Sequence, residues 1–312
     1  MNLITMRSFT CSLGFAVLVL PLGIGHAQTA AAPSDTETKT QDTNVLSTVN
    51  VTAERREEPL QTTPVSATVL SGDDLARMGV NVVDQLQFST PSVTVNNFGQ
   101  GLDFNIRGIG KAEHNTQTTT GVITYRDGVA TFPGYFTEEP YYDIANVQIL
   151  RGPQSTFGGQ NATGGAVFVT SNDPVIGEGY HGYLSGQLGN YSDTALQGAV
   201  NIPINDTLAA RVAYNGDNRD SFWDISGPYT GSDARQRSQS ARISLLWKPN
   251  SALSVLFKTD YNHLDMGAYP ADPATASNDP FRIGANADLK ALDEFSRSVL
   301  KVDYEFSSGV KP

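Results

Sequence analysis

Val147-Gln-Ile-Leu-Arg-Gly-Pro-Gln-Ser-Thr-Phe-Gly-Gly-Gln-Asn-Ala-Thr-Gly-Gly-Ala-Val167 is the stretch of this 312-residue chain from which the fold can be argued. It begins as a short apolar run, turns at residues 151–153, and crosses a loop rich in glycine. A second apolar run follows at residues 166–169. Short apolar runs bounded by glycine and proline are typical of strands. The stretch therefore predicts a strand, a turn, a glycine-rich loop and a second strand.

The same loop has the glycine spacing of a phosphate-binding loop, with Gly159 and Gly164 at the two ends of a G-x-x-x-x-G pattern. Phosphate-binding loops continue with Lys and then Ser or Thr, and these side chains contact the phosphates and the magnesium ion. Here the two positions are Gly165 and Ala166. The residues that nucleotide binding requires are missing, and we predict no nucleotide site.

The region before this stretch predicts a small α+β domain over residues 59–172. Ser71 and Asp74 have the spacing of a capping box for a short helix that Gly79 ends, and Asn81 is a candidate cap for a second helix over residues 82–88. Short apolar segments around these helices predict strands at residues 65–70, 93–95, 104–107, 121–126 and 142–150.

After residue 172 the pattern changes to alternation of apolar and polar side chains. Six segments alternate, at residues 183–188, 195–202, 208–215, 241–248, 253–262 and 300–306. One face is apolar with aromatic ends and the other is charged, which is typical of transmembrane barrel strands. A soluble β-sandwich also alternates. Tight turns at 203–206 and 249–251, set against long polar connections at 217–238 and 265–294, favour the barrel, although the outer turn at 190–193 is short.

The amino-terminal residues predict a signal peptide followed by a polar segment. Arg7, an apolar run at residues 13–24 and a small-x-small cleavage site at 25–27 are typical of a secretory leader, and the run is too short for a membrane anchor. Residues 28–44 are polar and predicted to be disordered. Residues 45–53 are β-prone but have nothing local to pair with, which suits addition to another protein's sheet, or alternatively a first strand of the next domain.

Composition and scattered polar residues exclude several other functions. The net charge of −11 argues against nucleic-acid binding, which requires a basic surface. The sole cysteine, Cys11, lies in the predicted leader, and the four histidines have no metal-ligand spacing. The acid pairs at 73–74 and 138–139 are expected to be a helix cap and a solvated loop. We predict no enzyme activity and no cofactor.

Three segments resemble the plug domain of the TonB-dependent outer-membrane receptors, at residues 104–110, 122–129 and 147–167. Thr48-Val-Asn-Val-Thr52 resembles the TonB box of that family. One departure is Gln160, where the family often has a basic residue. The resemblance implies an α+β plug domain followed by antiparallel transmembrane β-barrel strands. Receptors of this type have 22 strands around a plug. Six strands cannot close around one, so we expect residues 173–312 to be the first part of the wall and the chain to be an amino-terminal fragment.

The resemblance also implies site residues. TonB contact is expected at Thr48, Val49, Asn50, Val51 and Thr52. Ligand contact at the outward apex of the plug is expected at Phe98, Gln100, Phe132, Tyr135 and Phe136, for which packing against barrel loops is the alternative. Arg107 and Arg151 are expected to form ion pairs with acids on the barrel wall, because a buried arginine needs a carboxylate. Arg126 is expected to be exposed.

The implied function is energised uptake of a scarce ligand across the outer membrane of a Gram-negative bacterium. The implied partners are TonB, outer-membrane lipid and an extracellular small ligand, with a ferric siderophore as the first expectation. Cobalamin, a saccharide or another nutrient is the alternative, and a passive porin is a further one that the plug-like motifs disfavour. A signal transducer would need an additional folded domain before the box.

Overall fold

The computed structural model describes residues 50–51, 58–59, 66–97, 102–111, 119–131, 139–154, 159–227, 235–265, 279, 281–284 and 291–306. The predicted signal peptide and polar segment lie outside these residues. Within them, no helix is both long enough and apolar enough to cross a membrane.

The plug contains short strands and two short helices. Its elements are β1 (Asn50–Val51), β2 (Glu58–Pro59), β3 (Ser66–Ser71), α1 (Gly72–Met78), a 3-10 turn (Val83–Gln85), α2 (Leu86–Ser89), β4 (Val93–Asn97), β5 (Leu102–Ile106), β6 (Val122–Arg126), β7 (Val129–Ala130), β8 (Ile144–Arg151) and β9 (Gly165–Ser171). Five strands form a mixed sheet in the order β3-β8-β9-β6-β7, in which β6 and β9 run parallel. Strands β4 and β5 pair separately. The stretch 147–167 thus enters the sheet on β8 and returns beside it on β9.

Helix α1 begins and ends as its sequence predicts. Ser71 is the N-cap, its Oγ accepts from the Asp74 backbone N–H at 3.1 Å, and Asp74 accepts in return from the Ser71 N–H at 3.0 Å. The hydrogen bonds from Ser71 lower the pKa of Asp74 to about 2. Gly79, at φ 68°, ends the helix in the left-handed conformation that glycine adopts without strain.

The second helical segment differs from its prediction. A 3-10 turn precedes a single α-helical turn, and the expected cap at Asn81 is wrong. Val82 is the N-cap residue, and the Gln85 Oε1 accepts from the N–H groups of Asn81 at 2.6 Å and Val82 at 3.3 Å. A long amide side chain inside the turn can reach back to the exposed donors as well as a short side chain before it.

The plug core lies where the helical segments pack on the five-stranded sheet and on the β4–β5 pair. Its buried apolar side chains include Leu75, Val83, Leu86, Val95, Phe104, Ile106, Val147, Ile149, Val167 and Val169. Alternate residues of β8 and β9 therefore face the helices, which places the quoted stretch in the centre of the plug.

Gly165, which opens β9, has no room for a side chain. Its φ is 155°, and a Cβ there would lie 2.3 Å from the Leu150 carbonyl oxygen and 2.8 Å from Ile106 Cδ1. Because the closest atom is backbone of the paired strand β8, relief requires the strands to separate.

We expect Gly165→Ala to lower the stability of the protein by about 2–3 kcal/mol, the usual cost of overpacking. Thermal unfolding of the purified protein in detergent measures the effect. Gly179→Ala is the matched control, since a Cβ at Gly179 meets no atom within 4 Å. Equal melting temperatures for both variants would contradict the steric argument.

The wall is a second, larger sheet. Its elements are β10 (His181–Leu188), β11 (Thr194–Asn205), β12 (Leu208–Arg219), β13 (Asp224–Ser226), β14 (Gln236–Trp247), β15 (Leu253–Asp265), β16 (Arg282–Gly284) and β17 (Leu292–Tyr304). The six long strands form an antiparallel sheet in chain order, β10-β11-β12-β14-β15-β17. The short strands β13 and β16 pair in parallel within the two long connections.

The two faces of this sheet are inverted relative to a soluble protein. Exposed side chains on one face include Leu196, Val200, Val212, Tyr214, Ile243, Leu245, Trp247, Leu300, Val302 and Tyr304. Buried side chains on the other face include Asn201, Arg211, Asn215, Ser240, Arg242, Ser244, Lys258, Asp260 and Asn262. An apolar exposed face with a polar interior is the arrangement of a transmembrane barrel wall and excludes the sandwich.

The position of the apolar band indicates how the strands are inclined. On β11 the outward apolar run begins at Leu196, which is level with Glu294 on β17 through the strand register. On β17 the run begins at Leu300, six residues further along. That shift is about 20 Å across four strand spacings of about 4.8 Å. The strands are therefore inclined by about 45° to the normal of the apolar band, which is the tilt expected of membrane-spanning strands.

The box-like segment has a local partner at the two residues that are described. Asn50 pairs with Pro59 and Val51 with Glu58 in an antiparallel bridge between β1 and β2. The prediction that this segment has nothing local to pair with is therefore wrong for these residues. The chain that follows the box folds back beside it.

Candidate functional site

The candidate site is the plug–wall interface, where the inward face of the wall meets the plug. Four adjacent wall strands each place one cation there, and all four side chains point towards the plug: Arg211 on β12, Arg242 on β14, Lys258 on β15 and Arg297 on β17. The plug presents carboxylates to them. Charges enclosed in this way are stable only when they are paired, so their geometry determines how the plug is held.

Arg211 forms a two-point ion pair with Asp143 of the plug. Its Nε lies 2.8 Å from Asp143 Oδ2 and its Nη2 lies 2.5 Å from Oδ1. Asn172 Nδ2 donates to the same carboxylate at 2.9 Å, and Tyr183 Oη on β10 accepts from the Asp143 N–H at 3.0 Å. Paired donation by a guanidinium fixes orientation as well as distance, so β12 holds the start of β8 in place.

Lys258 holds the turn after β6 and the segment that leaves the plug. Its Nζ donates to Asp127 Oδ1 at 3.0 Å, to the carbonyl oxygen of Ser171 at 3.0 Å, and to Ser171 Oγ at 2.9 Å. It also lies 2.6 Å from Asp173 Oδ1. Burial acts to raise the pKa of Asp127. The positive charges of Lys258 and Arg242 lower the pKa by more than burial raises it, so the pKa lies below its usual value.

Glu139 lies between a plug arginine and a wall arginine. Its Oε2 is 3.5 Å from Arg126 Nη1, and Arg297 donates to both its oxygens at 2.9 and 3.0 Å. Arg297 also donates to Asp260 Oδ2 at 2.8 Å. Arg126 and Glu139 are both 3% exposed. The predictions of an exposed Arg126 and a solvated Glu139 are therefore wrong, because Tyr141 of the plug packs against Arg126 and Arg297 of the wall covers Glu139.

The segment leaving the plug is also bound by an amide side chain of the wall. Asn201 on β11 accepts from the Val175 N–H at 2.8 Å and donates to the Val175 carbonyl oxygen at 3.0 Å. This reproduces the hydrogen bonds of a neighbouring strand. Together with Lys258, Asn201 holds residues 171–175 against the wall.

Arg107 and Arg151 contact other plug residues. Arg107 Nη2 donates to Ser66 Oγ at 3.2 Å, and Arg151 Nη2 donates to Thr68 Oγ1 at 2.6 Å. Burial and the nearby Arg107 lower the pKa of Arg151. Within the described residues neither guanidinium forms an ion pair, so the expected pairing with barrel acids stays a prediction. The polarity of the described interface is mostly the reverse, with cations on the wall and carboxylates on the plug.

The predicted ligand-contact residues, Phe98, Gln100, Phe132, Tyr135 and Phe136, lie outside the described residues. So do Thr48, Val49 and Thr52 of the box, whereas Asn50 and Val51 form β1. All of these roles remain predictions. In the part of the chain that is described, no cluster of histidine, cysteine and carboxylate side chains could hold a metal ion.

An aromatic cluster lies at the outer ends of the wall strands, and the sequence patterns did not predict it. Phe222 is 3.9 Å from Trp223, 6.1 Å from Tyr191 and 6.4 Å from Phe281 between ring centroids. Arg219 lies 5.9 Å from the Phe222 ring. The rings come from three different connections, and the parallel pairing of β13 with β16 joins two of them. No local pattern could reveal a cluster assembled across so much chain.

Comparisons with known proteins agree with this architecture. Residues 59–166 match the family described as the TonB-dependent Receptor Plug Domain. The chain is 32% identical over 162 residues to the iron-regulated outer membrane virulence protein of Vibrio cholerae, covering 49% of this chain and 24% of that protein. It is 29% identical over 191 residues to the pesticin receptor of Yersinia enterocolitica, covering 60% and 27%. It thus spans about a quarter of the length of these relatives.

Solved structures show the same fold. The ferric yersiniabactin uptake receptor FyuA from Yersinia pestis superposes with a TM-score of 0.67 at 23% identity, over 78% of this chain and 39% of that one. The ferripyoverdine receptor of Pseudomonas aeruginosa gives 0.67 at 15% identity, over 84% and 35%. The predicted fold class, a plug followed by barrel strands, is confirmed. Residues 59–166 thus form a plug domain of the TonB-dependent receptor family.

Proposed function

We propose that this chain supplies the plug and the first wall strands of an outer-membrane receptor that imports a ferric siderophore with energy delivered by TonB. It is an outer-membrane protein of a Gram-negative bacterium. Ligand binds from outside at the plug apex, and the box around Val49 and Val51 pairs with TonB on the periplasmic side. Ligand binding promotes that pairing only if it favours the state in which the box is available.

The plug–wall interface is the observation that supports this proposal over a passive porin. Three wall cations, Arg211, Lys258 and Arg297, each pair with a buried plug carboxylate. Removing one partner from such a pair is costly, so the plug does not leave the lumen spontaneously. A plug held in this way calls for an external source of energy to move it, which TonB supplies.

The names of the relatives support iron as the cargo. One relative is an iron-regulated outer membrane protein of Vibrio cholerae, and another, 23% identical over 278 residues, is the ferrioxamine receptor of Yersinia enterocolitica. A hemin receptor of Yersinia pestis also matches, at 29% identity over 196 residues. Cobalamin or a saccharide is the alternative cargo, and neither occurs in these names.

Uptake of radioactive iron tests the proposal. We expect the intact receptor, expressed in a Gram-negative host that lacks its own siderophore receptors, to accumulate iron from at least one member of a panel of ferric hydroxamates, catecholates and mixed chelates. A protonophore should stop accumulation. Accumulation that survives the protonophore would indicate a porin, and uptake of cobalamin or an oligosaccharide instead of iron would support the alternative cargo.

A further inference from the structure

Arg242 is the one wall cation of the plug–wall interface that lacks a carboxylate partner among the described residues. Its side chain, on β14, is 2% exposed. The guanidinium lies 4.5 Å from the centroid of the Tyr142 ring, and Nη1 donates to the Tyr142 carbonyl oxygen at 3.4 Å. Its Nε and Nη2 have no hydrogen-bond partner in the described structure. Two strong donors of a buried charge are therefore unsatisfied.

The carboxylates near Arg242 already serve other cations. Asp260 is its cross-strand neighbour, but the two oxygens of Asp260 accept from Asn262 at 2.9 Å and from Arg297 at 2.8 Å. Asp127 pairs with Lys258. The remaining two buried carboxylates of the interface, Asp143 and Glu139, pair with Arg211 and Arg297. These contacts leave Arg242 without a carboxylate within hydrogen-bond distance among the described residues, although the interface as a whole has as many carboxylates as cations.

The polar groups beside Arg242 are hydroxyls that are also unsatisfied. Tyr142 Oη and Ser240 Oγ have no partner among the described residues, and both side chains are 1% exposed. Tyr142 is packed between Ala199 and Ala213 of the wall. Ser240 is two residues before Arg242 and shares its inward face. The guanidinium and both hydroxyl groups can donate hydrogen bonds to a negative ligand.

We propose that Arg242 holds a small inorganic anion, chloride from the solvent, inside the plug–wall interface. A buried charge without a partner is strongly disfavoured, and the contact with the Tyr142 ring compensates for it only in part. The near-complete burial of Arg242, Tyr142 and Ser240 excludes a ligand as large as a siderophore. Chloride there accepts from the two unsatisfied donors of Arg242, and its binding stabilises the seated plug by mass action. This inference does not depend on which ligand the receptor transports.

Two measurements on the intact receptor in detergent test the site. Crystals grown with bromide in place of chloride should show an anomalous peak within hydrogen-bond distance of Arg242 Nε or Nη2. In solution, replacing gluconate by chloride at constant ionic strength should raise the melting temperature by roughly 2 °C. Arg242→Gln should abolish that rise. Arg237→Gln should preserve it, because Arg237 lies on the same strand but is exposed and donates to Asn218.

The outcomes separate the possibilities. A bromide peak together with a chloride effect that Arg242→Gln removes supports the anion site. The diffraction measurement uses the unaltered protein, so it decides the question even if Arg242→Gln fails to fold. Absence of bromide density at Arg242, or water density unchanged between chloride and bromide crystals, would overturn the proposal. A chloride effect that persists in Arg242→Gln would place the anion elsewhere.

Discussion

Deletion of residues 45–53 from the intact receptor is expected to abolish energised uptake of the ligand while leaving its binding unchanged. These residues include the box-like segment, whose proposed role is to pair as a strand with TonB. Without it the pull on the plug cannot be applied, so transport should fall to the level of cells without the receptor. Ligand contacts are expected at the plug apex, and binding should therefore persist.

The measurements are uptake of the labelled ligand by whole cells and equilibrium binding to the purified receptor. An equally long deletion at residues 31–39, within the predicted polar segment, is the matched control and should transport normally. Among the described residues Asn50 and Val51 pair with Pro59 and Glu58, so pairing with TonB would have to replace this local bridge. Normal uptake after deletion of 45–53 would refute the role of the box.

Replacement of Lys258 by methionine is expected to destabilise the seated plug by about 3–5 kcal/mol, the cost of leaving a buried charge unpaired. Among the described residues Lys258 is the cation in direct contact with Asp127, and it also donates to Ser171 where the chain leaves the plug. Its loss should lower the melting temperature of the detergent-solubilised receptor and make the outer membrane more permeable to large antibiotics. Lys248→Met, at an exposed position directly after β14, is the control.

A second substitution separates the charge effect from packing. Asp127→Asn added to Lys258→Met removes the unpaired carboxylate, and the double variant should be more stable than Lys258→Met alone. If the double variant is no more stable, the ion pair is not what holds this turn.

The pH dependence of stability provides a further check on this pair. The pKa of Asp127 is lower in the folded protein than in the unfolded chain, where it is about 3.9. The stabilisation is therefore present at neutral pH, begins to fall below about pH 4, and is lost as the pH drops through the folded value. The double variant should lack this part of the acid sensitivity. An identical acid profile in the double variant and the unaltered receptor would contradict the assignment.

Much of the fold was accessible from local patterns because the forces that form these elements act over a few residues. The capping box of Ser71 and Asp74 and the terminating Gly79 define α1 by hydrogen bonds within one turn. Alternation defines the wall strands because successive side chains of a strand point to opposite faces. The cap of the second helical segment was predicted wrongly, because the segment begins after Val82 and the Gln85 side chain accepts from the N–H groups of Asn81 and Val82.

The electrostatics of the candidate site were not accessible in the same way. Arg126 and Glu139 look like solvated charges in the sequence, but tertiary packing buries both, with Tyr141 of the plug against Arg126 and Arg297 of the wall against Glu139. Arg297 reaches Glu139 across 158 positions of chain, and Lys258 reaches Asp127 across 131. No spacing rule connects residues so far apart. Even the polarity, with most cations on the wall and most carboxylates on the plug, was visible only once the two sheets were seen together.

The stretch 147–167 by itself determined a pair of strands joined by a glycine-rich loop, and the alternating segments after it determined a sheet with an apolar outer face. Both features depend on turn residues and hydrophobic periodicity, which are properties of neighbouring residues in the sequence. Only the tertiary structure decided which charges meet between plug and wall, and that Arg242 is left without a carboxylate. An ion pair depends on distance and burial, and both are set by how the two sheets pack against each other.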